Sequence, residues 1–149
     1  MITTVNTEKL NSVLIIEDIY DDVFFLKRIL NRTNLTESVH VCRDGSTAME
    51  FLLEKSLEAA SGKFAAIPDL IFLDLRLPGM DGWDFLNAYS SLSSLSHEKT
   101  KLVIVTNSLN LGDQARALAS GLVDSYLMKP VEEQEFRKVI MGLFPDRFS

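Results

Sequence analysis

Asp69-Leu70-Ile71-Phe72-Leu73-Asp74-Leu75-Arg76-Leu77-Pro78-Gly79-Met80-Asp81-Gly82 is the stretch on which the fold turns. Asp69 to Leu73 reads as a strand, with Pro68 marking its entry. It stops on a carboxylate, Asp74. The breakers Pro78, Gly79 and Gly82 then predict a loop over Leu75 to Gly82. Asp81 or Gly82 precedes a helical stretch, Trp83 to Leu92. Strand, loop and helix in this order form the building unit of a parallel sheet.

The same unit recurs on both sides. Towards the amino end, Val13-Leu14-Ile15-Ile16 is a second buried-type strand. A helix over Asp18 to Asn31 follows, with Val23, Phe24, Leu26, Ile29 and Leu30 at helical spacing. Ser38 to Val41 predicts the next strand, and Ser46 is placed to cap a helix over Thr47 to Leu57. Towards the carboxyl end, the serine-rich Ser90 to Thr100 predicts a loop and Lys101 to Val105 a strand. Leu111 to Ser120 predicts a helix closed by Gly121. Val123 to Met128 is the fifth strand and Val131 to Met141 the fifth helix. Alternating strands and helices imply an α/β domain with a doubly wound five-stranded parallel sheet and right-handed crossovers. Residues 1–11 are expected to be a flexible N-terminal tail and residues 12–149 one domain, with no room for an output domain after Met141.

Composition narrows the function. The chain has 149 residues and a net charge of −6, from 15 basic and 21 acidic residues. That sign argues against nucleic acid as a partner. Cys42 is the only cysteine, so no internal disulfide forms, and a reducing, cytoplasmic location fits. No apolar run approaches the ~18 residues that cross a bilayer, and the polar start is no secretory signal.

In a doubly wound sheet, ligands bind beyond the carboxyl ends of the strands. Those ends carry Glu17-Asp18, Asp74, Thr106 and Lys129-Pro130. Three carboxylates, a hydroxyl and an ammonium therefore converge on one rim. Carboxylates so close repel unless a cation joins them. Oxygen ligands suit Mg²⁺, which retains water and bridges to phosphate. Asp74 is then a candidate nucleophile for a phosphoryl group, with the metal, Lys129 and Thr106 meeting the charge of the transferred group.

Four segments together resemble the response-regulator receiver family of two-component signalling, in its stand-alone single-domain form. They are Val13 to Asp18, Phe72 to Gly82, Val103 to Ser108 and Tyr126 to Pro130, in a match covering roughly residues 12–141. The resemblance implies a flavodoxin-like fold with strand order 2-1-3-4-5 and Mg²⁺-dependent phosphotransfer from a histidine kinase or phosphotransfer protein. It implies that Asp74 is the phosphoacceptor and a metal ligand, that Asp18 ligates the metal directly, and that Glu17 acts through water. The backbone carbonyl of Arg76 becomes a further ligand, and Thr106 and Lys129 bind phosphoryl oxygens. Thr106 and Tyr126 become the switch pair, and the surface from Leu111 to Met141 the contact for a downstream protein, with homodimerisation through it left open. Such a domain catalyses only its own phosphorylation and dephosphorylation. Arg76 and Ser108, two residues beyond Asp74 and Thr106, are expected to slow loss of the phosphoryl group.

Other readings compete. Asp21 and Asp22 read as acids that favour a helix N-terminus. Trp83 reads as a packing anchor, Cys42 as a small core residue, and His40 and His97 as structural or surface residues. An aspartyl-phosphate phosphatase would carry a second acid two residues after the nucleophile, where this chain has Arg76. A receiver that works unphosphorylated would not need the complete set of pocket residues.

Overall fold

Successive residues of a strand face opposite sides of a sheet, and here both sides are covered. In the computed structural model, which describes residues 9–63, 66–92, 100–107 and 110–148, every residue of β1 (Val13–Ile16) and β3 (Leu70–Leu73) is buried. The other strands are β2 (Val39–Cys42), β4 (Lys101–Thr106) and β5 (Ser125–Met128). All pairs are parallel, in the order β2-β1-β3-β4-β5. The helices are α1 (Tyr20–Thr33), α2 (Gly45–Ala60), α3 (Gly82–Tyr89), α4 (Leu111–Ala119) and α5 (Glu133–Leu143). This is the flavodoxin-like arrangement the family resemblance implies.

The alternation divides the core in two. Val13, Ile15, Leu70, Phe72, Val103, Val105 and Leu127 pack with α1 and α5. Leu14, Ile16, Ile71, Leu73, Leu102 and Ile104 pack with α2, α3 and α4 on the other face. A one-residue slip in any central strand would exchange these two sets.

Local chemistry moves several boundaries. Asp44, not Ser46, caps α2: its carboxylate accepts the Thr47 N–H at 2.7 Å and the Thr47 hydroxyl at 3.1 Å. A charged acceptor holding two donors fixes the start before Ser46, which lies inside the helix. Asp81 caps α3 with a reciprocal box to Asp84. That helix stops at Tyr89, short of the expected Leu92. β5 begins at Ser125 because Asp124 is already committed to Leu102, its N–H donating to the Leu102 carbonyl and its carboxylate accepting the Leu102 N–H, both at 2.8 Å. Gly121, at φ 77°, follows α4 as expected.

Residues 1–8 of the expected tail lie outside the described residues, as does His97. Leu10 is fully buried and exchanges hydrogen bonds with Leu35 and Glu37. The ordered body thus reaches back past residue 12. No helix among the described residues is long and apolar enough to cross a membrane.

Candidate functional site at the carboxyl rim of the sheet

Sheet hydrogen bonding runs one residue past the strand ends, and that step places the polar groups. The Glu17 N–H donates to the Cys42 carbonyl, Asp74 N–H to Ile16, and Lys129 N–H to Thr106. Glu17, Asp74 and Lys129 are thereby pinned at the rim, with their backbone N–H groups already satisfied. Their side chains meet. Lys129 Nζ donates to Glu17 Oε1 at 2.6 Å, to Asp74 Oδ2 at 2.8 Å and to Asp22 Oδ2 at 2.7 Å. An ammonium has three donors, so all of them are engaged. The other Asp74 oxygen accepts the Arg76 N–H at 3.0 Å.

Gly82 makes the approach beneath this pocket possible. A Cβ there would lie 2.5 Å from Leu75 Cα and 2.8 Å from the Asp74 carbonyl oxygen. Any larger residue would push the start of α3 off the loop that follows Asp74.

Glu17, Asp22 and Asp74 each bring a carboxylate oxygen within 4.8 Å of the others. Glu17 and Asp74 are almost fully buried. One ammonium against three carboxylates leaves an excess of negative charge. Burial is the main force on Glu17 and raises its pKa to about 7, with the neighbouring Asp74 adding to it and Lys129 opposing it. For Lys129, burial alone would lower the pKa, yet hydrogen bonds to Asp22, Asp74 and Glu17 carry it well above the usual lysine range. Such a pocket is an oxygen-rich site short of cations, as a hard divalent ion requires.

Of the residues expected at the site, Glu17, Asp74 and Lys129 come together. Thr106 ends β4, fully buried, and shares with Tyr126 the sheet face covered by α2, α3 and α4. The Tyr126 hydroxyl is buried with no hydrogen-bond partner among the described residues. Its pKa is raised by burial first, then by Asp113 and Asp74. Asp18 is exposed and stands outside the carboxylate group, its carbonyl accepting from Arg43 at 3.4 Å. Arg76 is exposed, and Ser108 lies outside the described residues.

Asp22 corrects the reading of it as a mere helix-end acid. It occupies the first turn of α1 and reaches Lys129. In a parallel sheet each helix starts at the rim where the preceding strand ends, so an acid in that first turn can turn back over the pocket. That geometry was available from the order of elements. Trp83 anchors α3 as expected and carries the Arg116 guanidinium 4.0 Å above its ring. His40 stacks on Phe51 with ring centres 4.1 Å apart, and Cys42 is buried.

A five-stranded parallel sheet with clustered carboxylates facing a lysine across its rim defines an α/β domain whose rim could hold a metal ion. Residues 13–141 match the response regulator receiver domain, and the chain belongs to that family. It is 29% identical over 128 residues to the probable methanogenesis regulatory protein FilR2 of Methanothrix harundinacea, covering 86% of this chain and 77% of that protein. The crystal structure of a two component response regulator from Cytophaga hutchinsonii superposes with a TM-score of 0.80 at 27% identity, covering 93% of this chain and 99% of that one. The Mn²⁺-bound form of response regulator Rcp1, from Synechocystis sp., superposes with a TM-score of 0.64 at 28% identity, covering 90% of this chain and 91% of that one.

Proposed function

We propose that this domain is a phosphorylation-activated switch of the cytoplasm, with Asp74 accepting a phosphoryl group from the phosphohistidine of a kinase or phosphotransfer protein. The observation that carries this reading is the hydrogen bond from Lys129 Nζ to Asp74 Oδ2 within a surplus of buried carboxylates. An oxygen of Asp74 forms a bond to phosphorus as the phosphorus–nitrogen bond breaks. The departing electron pair returns to the imidazole, which takes up a proton. The product is an aspartyl phosphate.

The donor set fits Mg²⁺: Glu17, Asp22 and Asp74 supply hard oxygens in one cluster, with Asp18 and the Arg76 carbonyl as the ligands that the family resemblance adds. When bound, the ion would offset the charge of these carboxylates and of the incoming phosphoryl oxygens. Lys129 must release at least one carboxylate to meet a phosphoryl oxygen, because its three donors are taken. Thr106 supplies a hydroxyl on the same rim. Tyr126 can turn without breaking a hydrogen bond to any described residue, since its hydroxyl makes none among them. The ring then carries the change to the surface between Leu111 and Met141, where a downstream protein binds. The domain acts on no separate substrate.

Acetyl phosphate labelling tests the reading. Wild type should incorporate one acid-stable, hydroxylamine-sensitive phosphoryl group with Mg²⁺ and lose it when the metal is chelated. Full labelling of Asp74→Asn, or labelling indifferent to Mg²⁺, would overturn it.

A further inference from the structure

A groove of about 500 Å³ runs between α1 and the edge strand β2. Val23 and Val41 form its floor. Tyr20 and Phe24 stand over it, 68% and 60% exposed. Its other walls carry Lys27, Arg28, Arg32 and Arg43, and no carboxylate among the described residues lines it. Four of the chain's 15 basic residues thus share one groove on a protein of net charge −6. Arg32 meets Glu133 at 3.3 Å, and Arg43 stacks on Tyr20 at 5.5 Å. Lys27 and Arg28 make no ion pair among the described residues, so much of this charge is uncompensated.

The backbone beside the groove is also open among the described residues. There β2 pairs with β1 alone, and the Ser38 and Cys42 carbonyls accept from Val13 and Glu17. Alternation then turns the peptide groups of Val39 and Val41 outward, away from β1. From Tyr20 to Arg32 the helix advances ~18 Å, the span of about 5–6 extended residues. The groove begins next to Asp18 and runs away from the Asp74 rim, so its occupant need not take part in phosphoryl transfer.

We infer that this groove docks a short acidic segment of a partner protein, with one aromatic or aliphatic side chain seated over Val23 and Val41 beside Phe24. Charge complementarity selects the acid, and the apolar floor selects the anchor. A nucleic acid strand fits less well. Its phosphates would continue past the groove into exposed Asp18 and Asp21 at one end and Glu133 at the other, whereas a short peptide ends where the cations end.

The test uses the full chain and a fluorescein-labelled peptide of about 10 residues, rich in glutamate with one central phenylalanine. Fluorescence anisotropy should show saturable binding that weakens as salt rises. Amide shifts on adding the peptide should map to α1 and β2. Lys27→Glu with Arg28→Glu, and separately Phe24→Ala, should each weaken binding by ~10-fold. The charge-reversed variant should still label from acetyl phosphate like wild type, which keeps failure of the groove distinct from failure of the acceptor. Absence of saturable binding, wild-type affinity retained in either variant, or shifts confined to another face would overturn the inference. So would tighter binding of an oligothymidylate of equal charge, or a dimer seen by light scattering that the charge reversal abolishes, since the occupant would then be nucleic acid or a second copy of this chain.

Discussion

β3 is flanked by two buried aspartates that lead opposite lives. Asp69, at the amino end, is 1% exposed, and Asp74, at the carboxyl end, 4%. Asp69 accepts the Asn11 N–H at 2.6 Å and lies 3.6 Å from the Arg147 guanidinium, itself hydrogen-bonded to the Lys9 carbonyl. One carboxylate there meets a backbone donor and a cation, and the result is a clasp between the two ends of the described chain. Asp74 shares a single ammonium with two other carboxylates. Burial is common to both, so burial does not mark the site. The surplus of like charge does, because it leaves a pocket that gains by taking up a cation.

The largest expected contrast is in labelling by acetyl phosphate with Mg²⁺. Asp74→Asn should reduce the rate by at least ~100-fold, about 2.7 kcal/mol in barrier. Asp69→Asn should leave it within ~2-fold, since Asp69 lies at the far end of the strand. Equal losses would break the distinction between chemical and structural acid.

Stability should reverse the order. Asp69→Ala strands the Asn11 N–H and removes the Arg147 partner, and should cost ~1–3 kcal/mol by urea denaturation. Asp74→Asn in metal-free buffer relieves like-charge crowding while Lys129 keeps two acceptors. It should stay within ~0.5 kcal/mol of wild type or exceed it. A larger penalty at Asp74 than at Asp69 would mean that the rim is a stabilising network.

The smallest effect is a pH dependence confined to the rim. Burial raises Glu17 from 4.5 to about 7 in the folded chain. Below pH 4.5 the group is protonated folded and unfolded, and its contribution to stability is fully present. Between 4.5 and about 7 the unfolded chain gives up the proton while the folded chain retains it, so stability falls as pH rises through that window. Metal-free unfolding curves should show this slope, and Glu17→Gln should remove it. An unchanged slope in the variant would assign the proton elsewhere.

The contrast along β3 also explains what was legible in the sequence. The apolar runs ending in Glu17, Asp74, Thr106 and Lys129 gave away the strands, and parallel pairing then forces their ends onto one rim. The order of strands rests on long-range pairing that apolar pattern does not encode; it came from the family resemblance. Asp22 was hidden because its neighbours Asp21 and Tyr20 give the same local signal as any helix start, and only the turn of α1 over Lys129 separates them. Ser46 drew the helix boundary because it is a good cap by type, while Asp44, two residues earlier, offered the stronger acceptor. The Asp69–Arg147 clasp joins residues far apart in the chain, with no periodicity to announce it.

That clasp has a use in engineering. Arg147 touches the Lys9 carbonyl at 3.1 Å, so the two ends of the folded body leave from the same place. A short linker could join them, and the chain could be reopened in an exposed loop to give a circular permutant. Spliced instead into a surface loop of another protein, the domain would sit like a plug on two adjacent stalks. The Asp74 rim, at the opposite ends of the strands, would point away from the host.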